Sequence, residues 1–127
     1  MTEHRTPLAR VRGLGSAKSG TAHFWYQRLT AVANVPLTIA FVLIVISLLG
    51  RNHAAAQQIL GTPLVAIVIL LFIGSVTYHM RIGMQVIIED YVHDEIAKLV
   101  LIMLNTFFAI AVALASAYAI FKLSFGV

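Results

Sequence analysis

The chain has 127 residues, of which 60% are hydrophobic and 11% charged, whereas ordinary soluble domains carry about 25% charged residues. That balance disfavours a water-soluble fold, and the length allows one compact unit and no second domain of normal size. With no cysteine and a formal charge of +4, disulfides, thiolate metal sites and thiol nucleophiles are excluded within the chain.

Five of the nine Lys and Arg residues fall in the first 28: Arg5, Arg10, Arg12, Lys18 and Arg28. Such a cluster suits nucleic acid, anionic lipid or an orienting membrane flank, and the apolar run that follows favours the flank. A cleaved signal peptide places a short apolar region early, followed by small residues. Here the apolar stretch starts only near Leu29 and runs too long, so it is expected to stay in the membrane. The organisation expected is a single membrane-anchor domain, with residues 1–28 as a basic N-terminal segment and 29–127 as a three-helix transmembrane region.

The first span is expected over about 29–50, a stretch with no charged residue and long enough for a bilayer crossing of about 20 residues. Pro36 then falls within its first two turns, where a missing backbone donor costs least. The second span is expected over about 62–88, continuing past Arg81 as one long helix that outlasts the bilayer core. A third is expected over about 97–122, with Leu99 to Phe121 as its apolar body. There Ala111, Ala115 and Ala119 recur every four residues, as do Ala113 and Ala117. Small residues at that spacing let helices approach closely in lipid, and Asn105 is expected to face protein. The fold class is therefore all-α, with three transmembrane helices packed in a bundle with partner-subunit helices. The connections, about Arg51 to Gly61 and Glu89 to Lys98, are read as short loops.

With the N-terminus in the cytoplasm, seven basic residues lie inside and only Arg51 and Lys122 outside. The positive-inside rule favours that topology, and a multi-pass protein of the bacterial inner membrane is expected ahead of one of the mitochondrial inner membrane. It leaves the acidic loop Glu89 to Glu95 facing the cytoplasm.

Four of the five histidines have plain explanations: His4 and His23 in the basic flank, His53 and His93 in the connections. His79 sits inside the second span, where an ionisable side chain is either a functional group or an interhelical hydrogen-bond partner. On a helix, Gly83, Val86 and Asp90 share its stripe. Gly83 leaves space for a flat group against the backbone, a neutral imidazole is a good iron ligand, and Asp90 lies about 16 Å further along. Tyr91 beside it is either an interfacial anchor or a donor to the carbonyl of a quinone.

The run His79-Met-Arg-Ile-Gly83, continuing Met-Gln-Val-Ile-Ile-Glu-Asp90-Tyr91-Val92-His93, resembles the hydrophobic membrane anchor family of succinate dehydrogenase (respiratory complex II). The segment Gln27-Arg28-Leu-Thr-Ala31 is similar to that family's Arg-x-Thr-Ala element. The resemblance implies that His79 is an axial ligand of a b-type haem and that Gly83 packs against it. It implies that Tyr91 hydrogen-bonds ubiquinone, that Asp90 supports that site through a partner arginine, and that Arg28 lies near the haem propionates or the quinone pocket. Arg81 departs from the pattern, and either reaches the headgroups or contacts a propionate.

No second histidine lies in a span, so a second haem ligand would come from another polypeptide. Nor is there a dinucleotide fingerprint or a cysteine set for iron–sulfur clusters. The resemblance supplies those parts as a flavoprotein subunit, an iron–sulfur subunit and a second, haem-binding anchor, the cytochrome b556 subunit. The function implied is to anchor them and form part of the quinone-reduction site, without catalysis by this chain alone. Three other readings remain: an anchor without haem, the anchor of a fumarate reductase, and a small proton or ion transporter. The last is disfavoured because Leu64 to Phe72 offers no titratable residue.

Overall fold

The computed structural model describes residues 6–16 and 18–126, so Arg5, counted above in the basic flank, lies outside the described residues. The element order is α1 (Pro7–Val11), α2 (Ala22–Leu48), α3 (His53–Leu60), α4 (Pro63–Tyr91) and α5 (Glu95–Phe125). Helices α2, α4 and α5 are each long and apolar enough to cross a membrane, as the sequence predicts, and there is no strand among the described residues.

All three spans run longer than their apolar stretches suggest. Helix α2 begins at Ala22 rather than near Leu29, so His23, Phe24, Gln27 and Arg28 are helical. That corrects the placing of Pro36, which lies in the middle of α2 and not in its first two turns. There it deprives the carbonyl of Val32 of its usual i+4 donor, a loss that membrane helices tolerate when neighbours compensate. Helix α4 has 29 residues, about 43 Å at the helical rise. A hydrocarbon core is about 30 Å thick, so α4 is longer than an untilted crossing requires, and Asp90 and Tyr91 form its C-terminal end.

Local chemistry sets the ends. Thr62 and Pro63 open α4, with proline at the first helical position where its missing N–H is not needed. Asp94 caps α5 by accepting from the Ala97 amide at 2.7 Å, Lys122 lies in the last turn, and Gly126 ends the helix with φ 67°. The acidic connection is therefore partly a helix cap. The connection after α2 is not a plain loop: Asn52 accepts from the Ala55 amide at 2.9 Å and starts α3. Helix α3 stops at Gly61, where a Cβ would stand 3.0 Å from the Gln57 carbonyl oxygen and 3.1 Å from that of Leu123. A side chain there would push the end of α5 back by a few tenths of an ångström.

Helix α4 is central, packed on α2 on one side and α5 on the other, while α2 and α5 scarcely meet. At the α3 end, Ala66, Ile69 and Ile120 form a buried cluster, joined by Ile44, Leu60 and Leu123. The two alanine series of α5 part company. Ala113 and Ala117 are half-buried, while Ala111, Ala115 and Ala119 are exposed. Asn105 faces protein as expected, its Nδ2 donating to the Arg81 carbonyl at 2.9 Å. No residue of α2 is buried by the chain itself.

Candidate functional site between the first and second spans

His79 lies more than halfway along α4, half-buried against α2. Its Nδ1 stands 3.0 Å from Thr30 Oγ1. One turn earlier on α4, Ser75 Oγ donates to the Thr30 carbonyl at 3.4 Å. One turn later, Gly83 faces Gln27, whose Nε2 lies 3.4 Å from where a Cβ would be. These contacts fix the register of two antiparallel helices, Thr30 level with His79 and Gln27 level with Gly83.

The α2 side of this seam is polar at Gln27, Thr30 and Asn34, a spacing of i, i+3 and i+7 that lines one helix face. Gln27 Oε1 and Asn34 Oδ1 are buried without a hydrogen-bond partner. Buried polar atoms in that state cost free energy in a medium without water.

Nearer the α2 start, a cavity of about 270 Å³ is lined by His23, Phe24, Gln27, Arg28, Ile82 and Val86. The guanidinium of Arg28 stacks 4.4 Å from the centroid of the Phe24 ring, which holds it beside this cavity. Ile82, 2% exposed, forms the floor. A cation and an imidazole at the rim of an apolar pocket suit a ligand with an apolar body and an anionic or carbonyl edge. Sequence reasoning put His23 in the basic flank and gave Gln27 and Thr30 no role of their own. The i, i+3, i+7 recurrence of polar residues entering an apolar span was the signal that could have found them.

Asp90 and Tyr91 end α4, on and beside the His79 stripe as the spacing predicts. Tyr91 is 77% exposed. Neither side chain makes a hydrogen bond or ion pair with another described residue. The chain thus brings His79, Gly83 and Arg28 to one seam and presents Asp90 and Tyr91 outward. Arg81 belongs elsewhere: its Nε donates to Thr106 Oγ1 of α5 at 3.3 Å. Two residues along a helix is more than half a turn, so Arg81 points away from the Thr30 side.

A family model described as the succinate dehydrogenase/fumarate reductase transmembrane subunit matches residues 2–120. The chain is 31% identical over 121 residues to the succinate dehydrogenase hydrophobic membrane anchor subunit of Paracoccus denitrificans, covering 95% of this chain and 93% of that one. The protein of the same description from Rickettsia bellii is also 31% identical over 121 residues, covering 94% and 95%. The succinate dehydrogenase membrane anchor subunit of Reclinomonas americana is 36% identical over 98 residues, covering 75% and 82%. No solved structure matches the chain.

Proposed function

Because this chain belongs to the family of succinate dehydrogenase and fumarate reductase transmembrane subunits, we propose that it anchors a succinate:ubiquinone oxidoreductase and helps build a haem and a quinone site. Membership makes it a multi-pass membrane anchor subunit, which supports reading it as a non-catalytic part of the enzyme complex. The curated relatives are named for succinate dehydrogenase, which favours succinate oxidation over fumarate reduction. The partners are then a flavoprotein subunit, an iron–sulfur subunit and a cytochrome b556 subunit, in a bacterial inner membrane. Seven of nine basic residues fall on the N-terminal side of the topology, so the N-terminus is taken as cytoplasmic.

The observation that carries the haem reading is the state of His79. Its Nδ1 is engaged by Thr30, and Nε2 has no partner among the described residues. An imidazole tethered at one nitrogen and bare at the other, inside an apolar span, is suited to ligate iron. A second protein ligand for the iron would come from the partner anchor. When bound, haem would supply one-electron storage between the iron–sulfur subunit and the quinone. Arg28, held by Phe24 beside the cavity, would neutralise an anionic edge, with His23 at the same rim.

Tyr91 and Asp90 project past the hydrocarbon core, where a soluble partner would dock. The Tyr91 phenol would donate to a quinone carbonyl, and Asp90 would orient a partner cation. The test is Tyr91→Phe in the purified complex, with quinone reduction and haem content measured together. Loss of one hydrogen bond worth about 1 kcal/mol predicts quinone reduction several-fold slower at unchanged haem content. Equal loss of both, or no change in reduction, would remove Tyr91 from the quinone site.

A further inference from the structure

We infer that Thr30 is the positioning residue that fixes His79 as the Nδ1–H tautomer and so presents Nε2 as the iron-binding nitrogen. The inference rests on the haem reading above and extends it to a residue on a different helix. Its basis is a count of hydrogens. Thr30 Oγ1 lies 2.7 Å from the Tyr26 carbonyl oxygen, 3.2 Å from that of Gln27 and 3.0 Å from His79 Nδ1. A hydroxyl has one hydrogen and two lone pairs, and a carbonyl can only accept. The hydrogen therefore points at the Tyr26 carbonyl, the shortest of the three contacts.

The opposite arrangement would turn the hydroxyl hydrogen toward His79. Two carbonyl oxygens would then face hydroxyl lone pairs at 2.7 and 3.2 Å, acceptor against acceptor in a low-dielectric seam where such contacts are costly. So Thr30 accepts, and Nδ1 must carry the proton. A neutral imidazole has a single N–H, which leaves Nε2 with a free lone pair. The Ser75 hydroxyl, donating to the Thr30 carbonyl, pins this part of α2 to α4 and holds the acceptor in place.

Ligating histidines that donate their other N–H become more basic and better electron donors to the metal. The Thr30 contact should therefore favour the oxidised iron and lower the midpoint potential of the haem. Valine matches threonine in shape and lacks the acceptor, whereas serine keeps the hydroxyl and loses a methyl. The test is an optical redox titration of the purified complex as wild type, Thr30→Val and Thr30→Ser. Thr30→Val should raise the midpoint, changing the oxidised-to-reduced ratio at fixed potential several-fold; tenfold would correspond to about 59 mV for a one-electron couple. Thr30→Ser should titrate like the wild type.

A Thr30→Val complex that retains haem at an unchanged midpoint would overturn the inference, as would Thr30→Ser shifting as far as Thr30→Val. If Thr30→Val assembles without haem, electron–nuclear double resonance of the oxidised wild-type complex decides. It should find iron bound through His79 Nε2 with an exchangeable proton on Nδ1, and ligation through Nδ1 would overturn the inference. A wild-type complex with no b-type band would instead sink the haem reading, and this inference with it.

Discussion

At the α3 end of the molecule the spans meet through Ala66, Ile69 and Ile120. Toward the other end, α2 and α4 meet through Gln27, Thr30, Ser75 and His79. Both contacts hold the same central helix, yet they obey different physics. In lipid, apolar side chains adhere through close packing and ask nothing more of their neighbours. Polar side chains need partners, and two of them here, Gln27 and Asn34, have acceptor atoms with none. The α3 end keeps one such atom too, Ser124 Oγ, so what sets the polar seam apart is the direct cross-helix contact of Thr30 with His79.

The largest way to break this comparison is to place a charge in the supporting end. Ile69, 6% exposed, packs where an aspartate would find no partner. Ile69→Asp should cost about 3 kcal/mol or more, and would be read as loss of membrane-inserted, assembled complex. A fully assembled Ile69→Asp complex would mean that the α3 end is not the structural half.

A smaller and more selective change tests the polar end. A Cβ at Gly83 would meet only the Gln27 amide, at 3.4 Å, an ordinary contact. Nothing among the described residues therefore requires glycine there, and Gly83→Ala should change the stability of the assembly by less than about 1 kcal/mol. If a haem rests against this helix, the same methyl should disturb it, seen as a shifted b-type band or reduced haem content. An unaltered haem spectrum in Gly83→Ala would remove Gly83 from the haem surface.

Much of this was legible in the sequence because membrane helices announce themselves through uncharged length. The three spans, the place of Asn105 and the alignment of His79, Gly83, Val86 and Asp90 follow from apolar runs and helical spacing alone. The start of the first span was not legible. His23 to Arg28 are polar and aromatic, so hydropathy opened the first span at Leu29, whereas α2 begins at Ala22. That displacement moved Pro36 from the first turns to the middle of the helix. Helix α3 was hidden because His53-Ala-Ala-Ala-Gln-Gln is neither long nor strongly apolar, and only its Asn52 cap marked it.

The site was legible on one helix and not across two. Spacing along α4 places His79, but the facing residue depends on the register between α2 and α4, which no single-helix pattern contains. Thr30 therefore passed as part of a short motif, although its hydroxyl stands within hydrogen-bond distance of His79 Nδ1. Arg81 illustrates the same point, because its direction toward Thr106 depends on where α5 packs.

The central claim is that His79 is the iron ligand this chain contributes. The direct measurement is the reduced-minus-oxidised absorbance spectrum of the complex isolated in mild detergent, as wild type and as His79→Ala. The wild type should show a b-type band together with flavoprotein and iron–sulfur partners, and His79→Ala should assemble with that band lost or strongly altered. A band that survives His79→Ala unchanged, or a wild-type complex that has its partners and no band, would contradict the account.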